Sequence, residues 1–152
     1  MLKPKSLYGV DFNLWVANQV AALKTQRIED LDLPNLIEEM EDLSRRDKKA
    51  LRSYLKLLLL HLLKWQYQPS KRSKSWKVSV SNSRIEIDDI LSDSPSLRNY
   101  LPTVLAKAYV NAKTLAAAET GLAPETFPTD CPYDLEKALN QDFFPEPYGF
   151  SS

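Results

Sequence analysis

The chain has 152 residues with 20 Lys/Arg against 20 Asp/Glu, one histidine, one cysteine and three glycines. That length suits a single domain with a real core. A lone cysteine excludes an internal disulfide and predicts a reducing, cytoplasmic setting. The first residues show no apolar leader, and no stretch approaches the ~20 apolar residues a membrane helix needs.

Zero net charge hides a segregation. Residues 1–43 carry four cations and eight anions, residues 44–86 twelve cations and two anions, and residues 87–152 four cations and ten anions. Either the thirds neutralise one another in the fold, or the basic middle meets an anionic partner.

Residues 1–10 read as a short arm. Asp11 can cap a helix of about 12–26, in which Phe12, Trp15, Val16, Gln19, Val20 and Leu23 recur at helical spacing. Ile28 to Leu33 is a connection whose Leu31 and Leu33 are expected to tuck into the core.

Pro34 to Pro69 is the organising stretch. At ~100° per residue, Leu36, Ile37, Met40, Leu43, Leu51, Tyr54, Leu55, Leu58, Leu62 and Trp65 fall in one arc, with no glycine or proline between. Asp32 suits an N-cap and Pro34 the first turn. Such a helix spans roughly 50 Å. It must therefore be the spine of a bundle, kink near Ser44, or reach into a partner, and the last predicts self-association through the helix. Leu57 to Leu63 is apolar on every side and should be enclosed.

Beyond the spine, Val78–Ser81 and Ile85–Ile87 alternate as a strand would, yet Trp76, Val80, Ile87, Ile90 and Leu91 also share a helical face. With no hairpin signal and no second strand, a helix of about 75–91 is expected over a strand at 76–88. Asp93–Ser94–Pro95–Ser96 is a break, with Ser94 as N-cap, and a helix of about 102–119 follows with Val104, Leu105, Ala108, Tyr109, Ala112, Leu115 and Ala116 inward. Gly121 suits the residue past its end. Residues 122–148 are Pro-rich, with one short helix at about 133–140. Their anchors Phe127, Tyr133, Leu135, Leu139, Phe143 and Phe144 mark an ordered strap. The fold class is all-α: a single domain, 1–152, forming an irregular bundle of about five helices around one long central helix and closed by that strap.

Several stretches together resemble a known family. They are Asn35–Leu36–Ile37–Glu38–Glu39–Met40–Glu41, His61–Leu62–Leu63–Lys64–Trp65–Gln66–Tyr67–Gln68–Pro69, Arg72 with Ser75–Trp76, Ser94–Pro95–Ser96–Leu97, Glu119–Thr120–Gly121, Phe127–Pro128 and Cys131–Pro132–Tyr133. The chain is similar over about 7–148 to the domain of unknown function family 29, which is bacterial and abundant in cyanobacteria. The resemblance implies an all-α domain and no particular activity. The sequence departs from the family at Val78 to Ser83, where a charged helical run is usual.

Chemistry is sparse. A dyad or triad would have to use His61, which lies on the apolar arc; as a ligand or base it would open onto a pocket with Tyr54, Trp65 and Tyr109. Glu38 and Glu41 are the nearest approach to a carboxylate metal site, but no Glu-x-x-His accompanies them. No P-loop, Gly-x-Ser-x-Gly or dinucleotide glycine pattern occurs, and no cofactor is expected. The basic-aromatic segment 45–77 offers an anion or nucleic-acid surface through Arg45, Lys49, Arg52, Lys71, Arg72, Lys74 and Lys77. The sequence thus points to a non-enzymatic interaction or regulatory domain that self-associates, with nucleic-acid binding or processing as the alternative.

Overall fold

The computed structural model describes residues 7–149. Among them are five α-helices and no strand: α1 (Phe12–Lys24), α2 (Leu33–Tyr67), α3 (Lys74–Asp93), α4 (Leu101–Thr120) and α5 (Leu135–Leu139). Short 3-10 turns at Leu7–Gly9, Ile28–Asp30, Pro69–Lys71, Pro95–Asn99 and Pro124–Thr126 connect them. Of the expected arm, residues 7–10 are described and 1–6 lie outside the described residues. The chain divides into two compact units within α2, after Arg46. α2 itself is helical through Ser44 without a break.

In the first unit the Asp11 carboxylate caps α1 by accepting from the Leu14 N–H. Just past the end of α1, Gln26 has a left-handed φ of 56°, and the Arg27 N–H returns to the Ala22 carbonyl at 2.9 Å. Trp15 is the anchor, 4 % exposed, packed edge-on against Tyr8 with its indole N–H donating to Asp32. The Asp32 N–H donates to Gln19 and the Tyr8 hydroxyl to Glu39. Tyr8 on one side of Gln19 reaches farther along α2, so α1 and the start of α2 run antiparallel. Leu31 is partly buried, but Leu33, expected in the core, is 52 % exposed.

The second unit holds the main core. Leu51, Leu55, Leu58 and Leu62 realise the predicted arc, and Leu59, Leu60 and Leu63 are buried on other sides of the same helix. The apolar run is enclosed as its all-round pattern demands, except that Leu57 stays 38 % exposed. Each buried leucine contributes about 1.5–3 kcal/mol. α3 is capped by the Ser73 hydroxyl, which accepts from the Trp76 N–H, and buries Val80, Arg84, Ile87 and Leu91 while Val78 and Ile85 face outward. α4 packs through Ala108, Tyr109, Ala112 and Ala116 and stops at Gly121, whose φ of 76° only glycine adopts without strain. Ser94 breaks the chain as expected, though its side chain makes no cap hydrogen bond.

The strap is ordered. Phe127 and Tyr133 are buried, and Phe143 and Phe144 are partly buried. The Tyr109 hydroxyl donates to the Pro128 carbonyl at 2.6 Å and the Tyr133 hydroxyl to Gln66 at 2.7 Å. Arg84 fastens it: the guanidinium donates to the carbonyls of Ala138, Gln141 and Phe143.

Candidate functional site

The stripe read along α1 and α2 is inward only in part. Trp15 and Gln19 are buried, but Phe12, Val16, Val20 and Leu23 on α1, and Leu33, Ile37, Met40 and Leu43 on α2, are 36–71 % exposed. This corrects the expectation that those residues line a core. The reason is local. A pair of helices buries one stripe on each, and α1 is apolar almost all round, with Lys24 its one charge. Apolar surface remains after the contact line is filled. On α1, and on α2 for Leu33, Ile37 and Met40, the exposed stripe is turned by roughly 90° in the same sense from the residues that face the other helix, while Leu43 lies in line with Asp32 and Glu39. In an antiparallel pair that puts both stripes on one side, as one apolar face.

The predicted cations separate into three settings. Arg45 is enclosed by carboxylates, pairing with Glu38 at 3.1 Å, Glu41 at 3.5 Å and closely with Asp42. Its guanidinium pKa is raised, chiefly by the hydrogen bond to Asp42. Glu38 and Glu41, the metal candidates, are thus engaged by one arginine. No cluster of three His, Cys, Asp or Glu suited to a metal occurs among the described residues.

Lys71, Arg72, Lys74 and Lys77 surround the start of α3. Arg72 is drawn inward, donating through Nε to the Trp65 carbonyl at 2.8 Å with its guanidinium 4.6 Å above the Trp65 ring. The aromatics of this segment are absorbed by packing. Trp65 meets Phe144, Tyr67 meets Phe127 and Tyr148, and Trp76 carries the Lys64 ammonium 4.7 Å from its ring. Lys64, mostly buried, pairs with Glu119 at 3.1 Å, joining the two motif stretches that hold them.

Lys49 and Arg52 lie elsewhere, in a groove of about 240 Å³ between α2 and α4, with Lys56 and Lys107 as further cations and Ser53 and Asn111 as neutral polar groups. The Arg52 guanidinium donates to the Tyr100 hydroxyl at 2.7 Å, and the Lys48 ammonium sits 5.5 Å from the same ring. No carboxylate lines the groove. Lys56 continues the basic spacing of Lys49 and Arg52 along α2, whereas sequence reasoning missed Lys107, which lies on a helix distant in the chain. A larger cleft of about 600 Å³ is lined by Ile87, Leu91, Leu101, Leu135 and Leu139 together with the charged residues Arg84, Arg98, Asp88 and Glu136. That mixed lining favours neither sign of charge.

The four pocket candidates fall in two places. Tyr54, His61 and Trp65 share a face of α2, each partly buried, while Tyr109 is buried and hydrogen-bonded to the strap. His61 Nδ1 lies 2.8 Å from the Leu57 carbonyl, which fixes it as donor there. Burial lowers the His61 pKa, and the Lys64 charge adds to that. The consequence is a pH effect. Below the ordinary value of 6.5 the unfolded chain takes up the proton first, so stability falls on acidification from 6.5 to the folded value. Urea midpoints at neutral and mildly acid pH should differ less in His61→Gln than in wild type; equal differences would show that other groups set the dependence. The Cys131 thiol is pushed up by burial and donates to the Tyr133 carbonyl, an unreactive setting.

Two compact helical units, one with an uncovered apolar face and the other with a basic groove, define an all-α protein without a strand or membrane-spanning helix among the described residues. The chain belongs to the family described as domain of unknown function DUF29, which matches residues 7–144. No curated protein and no solved structure matches it.

Proposed function

We propose that this chain is a non-enzymatic interaction domain that associates with a second copy of itself through α1 and the first part of α2. The observation that carries the reading is the exposed face of Phe12, Val16, Val20, Leu23, Leu33, Ile37, Met40 and Leu43. Their exposed surface is on the order of 800 Å², what one partner contributes to a standard interface. Monomeric proteins rarely leave a contiguous apolar patch of that size uncovered.

Charge favours a second copy as the occupant. Along α2 an acidic block, Glu38 to Asp42, is followed by Arg45, Arg46 and Lys48, of which the two arginines pair with that block inside the chain and could exchange those pairs with a second copy. Two such helices set antiparallel align acid with base, the self-complementarity a two-fold interface requires. α1 adds apolar surface and almost no charge to oppose pairing.

Sedimentation equilibrium tests it. Wild type should be a dimer at micromolar concentration, and Ile37→Glu with Met40→Glu should be a monomer of unchanged helical content. A monomeric wild type at high concentration overturns the reading, as does a dimer untouched by both substitutions.

A further inference from the structure

We propose that the groove between α2 and α4 binds the phosphodiester backbone of a single nucleic-acid strand. It goes beyond self-association and uses residues of the second unit alone. Lys49, Arg52 and Lys56 recur at i, i+3 and i+7 along α2, and Lys107 stands on the opposite wall with Asn111 beside it. Like charges at these spacings repel and cost stability in an isolated helix. Arg45 shows how the chain answers a cation when none but its own carboxylates are needed: three surround it. The groove cations have no such partner, for none of the four forms an ion pair with a described residue.

The site is shaped as well as charged. Ala108, 5 % exposed, forms its base, so the cations rise on two walls around a recess. Arg52 is held by the Tyr100 hydroxyl through one N–H, leaving other guanidinium donors for a ligand. From Lys49 to Lys56 the row covers about 10 Å of helix, close to the rise of three stacked nucleotides at ~3.4 Å per strand. A linear row matches phosphates repeated along a polymer better than one isolated phosphate. No exposed apolar residue lines the groove, so nothing there would enter a bilayer. No aromatic lines it either, so binding should follow the backbone with little preference among bases.

The test is fluorescence anisotropy of a labelled oligothymidylate against salt concentration, using the full chain. Wild type should bind, with log K falling against log[salt] at a slope of about −3 if all four cations meet phosphates. Arg52→Glu with Lys56→Glu should weaken binding about tenfold or more, and so should Lys107→Glu on the other wall. Lys137→Glu, outside the groove and equal in charge change to Lys107→Glu, should stay within about twofold. Should the double variant fail to fold, Lys107→Glu decides the matter alone. Absence of binding at low salt, equal loss in the Lys137 variant, or groove-dependent binding to phosphatidylserine vesicles without binding to the oligonucleotide each overturns the proposal. Monomeric variants at Ile37 and Met40 keep the groove intact, so failure of self-association leaves this result readable.

Discussion

Arg84→Met should unfold about 10 °C below wild type, with the loss concentrated in the C-terminal strap. Arg84 is 2 % exposed, yet no carboxylate among the described residues pairs with it. Its charge is met by carbonyl dipoles instead: Ala138 at 2.8 Å, Gln141 at 3.4 Å and Phe143 at 2.8 Å, with the Phe144 ring 5.5 Å from the guanidinium carbon. Burial lowers its pKa to about 10, with the Asp142 charge acting the other way, so it remains a cation at neutral pH. Methionine fills similar volume and removes the cost of a buried charge, but leaves three carbonyls without their donor. Orphaned acceptors cost about 1–3 kcal/mol each. The net loss is therefore about 3 kcal/mol, and at ~2–4 °C per kcal/mol for this size that gives the stated shift. Hydrogen exchange should quicken across 138–149 before the rest of the unit. Arg84→Lys cannot span three carbonyls from one ammonium and should fall between the two. If Arg84→Met melts with wild type and exchanges at the same rate, the apolar anchors Phe127 and Tyr133 hold the strap unaided.

Nothing in the sequence marks Arg84 for this role. It stands among polar residues in Ser81–Asn82–Ser83–Arg84, outside the set of apolar residues that the helical spacing picks out. The same helix shows what was legible. Strand-like alternation would put Val78 and Val80 on one side; the structure puts Val80 and Ile87 inside, with Val78 64 % and Ile85 50 % exposed. With no hairpin signal and no second strand, the helical face shared by Trp76, Val80, Ile87, Ile90 and Leu91 favoured the helix, and that spacing is a local fact. The breaks at Pro95 and Gly121 are likewise local, fixed by backbone chemistry that tertiary context does not change. What a residue's partners are is not local. Periodicity places Met40 and Leu58 in one arc of α2, but says nothing of what covers either. The groove shows the same limit: Lys49 and Arg52 are visible as a basic row, while the wall bearing Lys107 is brought up by the fold.

That contrast can be measured along a single stripe. Leu58→Ala should cost about 2–5 kcal/mol, because the leucine is fully buried and its surroundings can close only part of the cavity left behind. Met40→Ala, at 71 % exposure, should change the stability of the isolated chain by less than about 0.5 kcal/mol. Urea midpoints with unchanged slope give both numbers. The two substitutions should also differ in how they depend on protein concentration. A core cavity lowers the melting temperature at every concentration alike. If a second copy covers the α1 and α2 face, wild-type Tm rises with concentration by mass action and Met40→Ala flattens that rise. A loss below about 1 kcal/mol for Leu58→Ala would place an open surface where the structure has a core. A concentration-independent Tm in wild type would leave Met40 facing water, and the apolar face would then need an occupant other than this chain.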